Sequence, residues 1–150
     1  MASDSLLQEA DVVVVGSGAG GLTAAVRAAD LGLSVQVVEK THLVGGTTAL
    51  SGGDLWVPCN FDQKQAGVQD DLNDAFRYVK TSARGLATDD RVLAYVETAK
   101  KTVAYLHSIG VHYRCVPLYS DYYPPIDGSR PGGRTMDPSG FDARQLGVDG

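Results

Sequence analysis

Six residues near the start of the chain, Gly16-Ser17-Gly18-Ala19-Gly20-Gly21, fit the pattern G-x-G-x-x-G, with Gly16, Gly18 and Gly21 in its three slots. The chemistry of such a segment is anion binding. Gly16 suits a tight turn, Gly18 lets the backbone approach a pyrophosphate, and Gly21 lets a helix lie close on a strand. The helix N-terminus behind them offers unpaired N–H groups and the positive end of its dipole. The pattern is weak alone and needs three things around it: a strand before it, a helix opened by it, and an acid at the end of the next strand. Glu39 is that acid, 18 residues beyond Gly21. A carboxylate there can accept hydrogen bonds from an adenosine ribose and repels a 2′-phosphate, which disfavours NADP.

Those elements are legible around the motif. Asp11–Val15 is a continuous β-branched run, which suits a strand covered on both faces, as in a parallel sheet. From Gly20 to Leu31 the period turns helical, with Leu22, Ala25, Val26 and Ala29 on one face and Gly32 in place as a C′ glycine. Ser34–Glu39 reads as the second strand. Strand, helix and strand make a βαβ unit with a right-handed crossover. The fold class is therefore α/β, a Rossmann-like dinucleotide domain with a parallel sheet, occupying residues 11–150 after a short arm at 1–10.

Farther along, residues 40–60 read as a loop. Asp70 or Asp71 caps a helix carrying Leu72, Ala75, Phe76 and Val79, and Thr88, Asp89 or Asp90 caps a longer one through Val92, Val96, Ala99, Val103 and Leu106, ended by Gly110. Asp70, Asp71, Asp89 and Asp90 read as first-turn helix residues. Val111–Val116 reads as a short strand. Residues 117–140 hold five of the six prolines and read as irregular.

The segment after Glu39 separates FAD from NAD. In NAD domains the second strand usually feeds a helix. Here Glu39-Lys40 leads to Gly45-Gly46-Thr47-Thr48-Ala49-Leu50-Ser51-Gly52-Gly53, two glycine pairs bracketing short hydroxyl side chains. Such a loop exposes backbone N–H groups to a second phosphate and to the polar edge of a flavin ring. The residues expected to hold the cofactor are Gly16, Ser17, Gly18, Ala19, Gly20 and Gly21, then Glu39 and Lys40, then Gly46, Thr47, Thr48, Ala49, Ser51, Gly52 and Gly53.

Composition excludes other classes. The 150 residues carry a formal charge of −5, which argues against nucleic acid as a partner. No apolar stretch is long enough to span a bilayer. Met1–Ser5 lacks the basic-then-apolar pattern of a secretory signal, and Cys59 and Cys115 are far apart, so a cytoplasmic, reducing location is expected. Glycine accounts for 18 residues, nine of them between Gly16 and Gly53, which places the chemistry in the first third. His107 and His112 are five apart, which is not a helical metal pair, and no metal is expected.

Asp11–Gly53 resembles the start of the FAD-binding domain shared by fumarate reductase, succinate dehydrogenase and 3-ketosteroid dehydrogenase flavoproteins. Gly45–Pro58 is similar to the steroid branch, where G-G-[ST]-T-A-x-S-G-G leads into Trp-Ile/Val-Pro. Tyr119-Ser120-Asp121-Tyr122-Tyr123-Pro124 and Arg130-Pro131-Gly132-Gly133-Arg134 also resemble the 3-ketosteroid Δ1-dehydrogenases. The resemblance implies removal of a C2 proton beside the C3 ketone by a tyrosine base while flavin N5 takes a hydride from C1. It matches Tyr122 to an active-site tyrosine that supports the principal base, and places Tyr119 against an apolar, steroid-like substrate. In the quinone-linked relatives a loop histidine bonds the flavin. Gly46 stands in that register, so the resemblance implies non-covalent FAD, with His42 a solvated loop residue.

The resemblance further implies a substrate domain and C-terminal strands outside this chain, which makes the chain an N-terminal part, inactive by itself, of a protein that also needs an electron acceptor. The alternatives are a fumarate-reductase-like flavoprotein acting on a small unsaturated acid, with Arg130 and Arg134 as carboxylate binders, and a non-catalytic FAD-binding fragment. An NAD-dependent dehydrogenase ranks last. Trp56 can either touch substrate or pack under the flavin.

Overall fold

Four consecutive valines make a strand because their branched side chains pack well on a pleated surface. In the computed structural model this strand, β1, is Val12–Val15. The structure describes residues 9–147, so Met1–Ser5, most of the expected arm at 1–10 and the last three residues of the expected domain lie outside the described residues. The chain divides into two units, one ending at Gly53 and one beginning at Asp54.

In the first unit β1 pairs in parallel with β2, Val35–Val38, with Val12 opposite Val35 and Val15 opposite Val38. Helix α1, Ala19–Asp30, joins them. The strand begins one residue later than expected because Asp11 is engaged with Ser34. The Asp11 N–H donates to Ser34 Oγ at 2.9 Å, and Ser34 N–H donates to Asp11 Oδ2 at 2.8 Å. Leu31 caps α1 and Gly32, at φ +84°, follows as the expected C′ glycine. The expectation that β1 is covered on both faces fails for the described residues. Val13 and Val15 are 56% and 84% exposed. The α1 side of the strand is covered, since Val14 Cγ1 lies 3.4 Å from where a Gly21 Cβ would sit, but no described element covers the other side.

The expected loop at 40–60 contains two elements. A 3₁₀ turn spans Gly46–Leu50, entered through Gly45 at φ +106°, and β3 spans Leu55–Trp56.

The second unit is an antiparallel sheet with two helices. Asp71 caps α2, Leu72–Ser82, by accepting from the N–H groups of Asn73 and Asp74. Thr88 precedes α3, Asp89–Ser108, whose first turn carries Asp89 and Asp90 at the positive end of the dipole. Gly110 at φ +92° turns the chain into β4, Tyr113–Cys115. The region 117–140 is not irregular throughout, because Thr135–Pro138 forms β5, the central strand, in the order β3-β5-β4. Met136 pairs with both Leu55 and Cys115 and is fully buried, with Val57 and Val103, among Leu55, Ala99 and Tyr113. Four of the five prolines in 117–140 precede β5, and Pro138 ends it, where a missing donor disturbs the ladder least.

Candidate functional site

The glycines of the fingerprint differ in what holds them. Gly16 sits at φ +98°, a conformation side chains rarely adopt. A Cβ on Gly21 would fall 2.1 Å from the Gly16 carbonyl oxygen, so the helix could not approach. Gly18 is different. Its φ of −68° suits any residue, and the nearest atoms to a Cβ there would be Thr48 Oγ1 at 3.8 Å and the Gly45 oxygen at 3.9 Å, ordinary contacts. The fold does not require glycine at 18, but a ligand backbone group brought against the loop would. Gly18 is also the N-cap of α1 and carries no side chain to satisfy the helix N–H groups. This is the cradle a pyrophosphate needs, so the chain's own residues fit a dinucleotide.

Ser17 ties the cradle together. It is 1% exposed. Its N–H and its hydroxyl both donate to Glu39 Oε2, at 2.9 and 2.6 Å, while its Oγ accepts the Gly45 N–H at 2.9 Å. Thr41 N–H donates to Glu39 Oε1 at 3.2 Å. The Ser17 hydroxyl first, then the Ser17 and Thr41 N–H groups, hold the Glu39 carboxyl down at about 2. Glu39 is therefore charged throughout the neutral range and can accept from ribose hydroxyls. The Ala19 N–H is already taken by Thr48 Oγ1 at 3.2 Å, which fastens the second glycine loop to the helix start.

A cleft of about 560 Å³ gathers Gly16, Ser17, Gly18, Glu39, Lys40, Gly46, Thr47 and Ala49 along its wall. Ala19, Gly20 and Gly21 form the first turn of α1 behind it. Ser51, Gly52 and Gly53 lie past the turn, where Ser51 Oγ donates to the Thr48 carbonyl and accepts the Gly53 N–H. His42 is exposed, as expected. The only sequence signal for the hydrogen bonds of Ser17 is a hydroxyl in the second position of the fingerprint, followed by an acid at the end of the next strand.

In the second unit Tyr119 and Tyr122 share a shallow cleft of about 290 Å³ and are 54% and 80% exposed. The neighbouring arginine does not match the expectation. Arg134 is fully buried rather than a loop carboxylate binder, and its donors are committed: Nε and Nη2 to Asp70, Nη1 to Asp121 and the Gly128 carbonyl, at 2.7–3.1 Å. Asp70 is likewise not a first-turn helix residue. Its side chain is 1% exposed and faces Arg134. Burial pushes the Asp70 carboxyl up, but hydrogen bonds from Arg134, Cys59 N–H and Gln63, with the Arg134 charge, together hold it below the usual range. Arg130 pairs with Asp74. Trp56 stacks with Tyr78, at 5.5 Å, and with Tyr95, at 6.2 Å, and donates its indole N–H to Asp121 at 2.7 Å. His107 and His112, five apart in the sequence, meet at Nδ1···Nδ1 3.2 Å. Among the described residues no group of three or more His, Cys, Asp or Glu is placed to hold a metal, and no helix is long and apolar enough to cross a membrane.

Three comparisons bear on this arrangement. Residues 11–148 match the family model described as FAD binding domain. A 3-oxosteroid 1-dehydrogenase of Comamonas testosteroni is 62% identical over 141 residues, 94% of this chain and 25% of the relative. The crystal structure of 3-ketosteroid delta1-dehydrogenase from Sterolibacterium denitrificans, in complex with 1,4-androstadiene-3,17-dione, superposes with TM-score 0.83 at 47% identity, over 92% of this chain and 24% of that one. A flavocytochrome c3 fumarate reductase superposes with TM-score 0.73 at 24% identity, over 93% of this chain and 26% of that one, and shares the fold. The chain spans about a quarter of the length of the curated relatives it matches.

Proposed function

The chain belongs to the FAD binding domain family, and on that premise we propose that it is the cofactor-holding part of an oxidoreductase that desaturates a 3-ketosteroid between C1 and C2. The observation that carries the substrate is the likeness to 3-oxosteroid 1-dehydrogenase along 94% of the chain, which includes the tyrosine loop as well as the generic fingerprint. Bound FAD would supply the hydride acceptor. The chain's own residues have three tasks. Gly18 and the α1 N-terminus receive the pyrophosphate, Glu39 receives the ribose, and the Gly46–Leu50 turn closes over them. Non-covalent binding is supported by Gly46 at the position where a histidine would attach the flavin.

Tyr122 is assigned to the proton transfer, as support for a base supplied by the rest of the protein, and Tyr119 to the apolar wall of the substrate slot. A phenol titrates near 10 and needs such help to act in the neutral range. An external electron acceptor reoxidises the enzyme. The domain is taken to run from 11 to 150 after a short arm, and its two free thiols, Cys59 and Cys115, fit a cytoplasmic location. A small-acid reductase is disfavoured because Arg134 is fully buried and each of its three nitrogens already donates to the protein itself.

The test is turnover of the full-length protein. With an artificial electron acceptor, a panel of 3-ketosteroids should gain a 1,2-double bond, read by product mass and by the absorbance of the dienone. Flavin-loaded protein that turns over none of them, but is reoxidised by a small unsaturated acid, would overturn the substrate.

A further inference from the structure

We propose that the buried Arg134 cluster is a positioning device for Tyr122, with Asp121 and Tyr78 fixing the backbone on either side of it. This rests on the assignment of Tyr122 above. The loop from Leu118 to Tyr123 presents large side chains to solvent: Leu118 is 94% exposed and Tyr122 80%. Asp121, inside the same stretch, is 2% exposed. Left to itself, a short loop rich in tyrosine would fold its rings onto the nearest apolar surface, so something must hold these outward.

The hold is specific. Asp121 Oδ1 accepts the Trp56 indole N–H at 2.7 Å, and Oδ2 accepts from Arg134 Nη1 and from the Arg130 N–H, both at 2.8 Å. The Asp121 N–H donates to the Arg130 carbonyl at 2.9 Å. Just past Tyr122, the Tyr123 N–H donates to Tyr78 Oη at 3.0 Å. Tyr78 is 6% exposed, stacks on Trp56, and has the Arg134 guanidinium 5.9 Å from its ring centre. The residues flanking Tyr122 are thus fastened to one cluster, while the Tyr122 ring, edge-on to Tyr123 at 5.4 Å, stays exposed.

A buried ion cluster contributes little net stability compared with apolar residues of the same volume. The conformation it imposes explains it better than stability does. Room for the cluster comes from close packing of the loop: Cβ atoms at Gly128 and Gly132 would fall 2.2 Å from the Asp74 oxygen and 1.8 Å from the Pro117 oxygen.

Tyr78→Phe in the full-length enzyme is the test, because it keeps the ring on Trp56 and removes only the oxygen that accepts the Tyr123 N–H. A lost hydrogen bond of ordinary strength predicts a fall in kcat of roughly three- to tenfold, with KM and flavin content unchanged. The readout that a purely structural role would not move is the coupling with Tyr122→Phe. If Tyr78 acts through Tyr122, the double variant turns over at the rate of Tyr122→Phe alone. Asp121→Asn should show the same pattern where it folds. Wild-type kcat in Tyr78→Phe, or losses that multiply in the double variant, would overturn the inference. A silent Tyr122→Phe is a different result: it overturns the assignment of Tyr122 and the inference with it.

Discussion

Ser17 shows how much one side chain can decide. Its hydroxyl donates to Glu39 and accepts from Gly45, so one buried oxygen connects the fingerprint, the strand-end acid and the second glycine loop. The low pKa of Glu39, about 2, comes first from that hydroxyl. A carboxyl lowered in the folded state favours folding above its unfolded value near 4.3, and the contribution is lost as pH falls from there toward 2. Ser17→Ala should therefore raise the Glu39 titration midpoint toward the ordinary carboxylate range and shrink the acid-dependent contribution, whose onset stays at the unfolded value. Side-chain carboxyl NMR across pH 1.5–6 (roughly the interval between the two values and its margins) reads this directly. An unchanged midpoint would show that Ser17 does not set the charge of Glu39. The sequence made Gly16, Gly18, Gly21 and Glu39 legible because each is tied to the motif by local geometry. The links from Ser17 and Thr48 join residues 22 and 29 positions apart and leave no periodic trace.

Among the elements, both long helices and the βαβ unit were legible because caps and hydrophobic period are local signals. Strand β5 was not. Its neighbours are prolines, and what makes Thr135–Pro138 a strand is pairing with β3 and β4 from 55 and 113 onward. The same blindness made Asp70 read as a first-turn helix residue and Arg134 as a carboxylate binder in the small-acid alternative, since sequence cannot show that two opposite charges 64 apart meet in the interior. Their meeting has a cost to test. Arg134→Met would leave the Asp70 and Asp121 carboxylates buried without their main partner, and should destabilise the second unit by about 3–5 kcal/mol, read as the urea midpoint. With the guanidinium gone, burial dominates and the Asp70 carboxyl moves above the ordinary range, so the loss in stability should shrink as pH is lowered and that carboxyl protonates. A loss independent of pH would mean that Arg134 acts through packing alone.

For the molecule as a whole, the two units carry different parts of one reading. The first presents the dinucleotide cleft, and the second presents Tyr119 and Tyr122. The chain spans about a quarter of its curated relatives' length. Val13 and Val15 leave an apolar sheet face open among the described residues, a surface prone to association. The account depends first on the cleft at Gly18. The most direct measurement is the visible absorption spectrum of the full-length protein after addition of FAD and removal of the excess, beside Gly18→Val. The account predicts a flavin band retained by the wild type, released by acid precipitation, and absent from the variant, whose fold is kept because a Cβ at 18 meets only ordinary contacts. A wild type that retains no flavin, or a Gly18→Val protein with equal flavin, would contradict it.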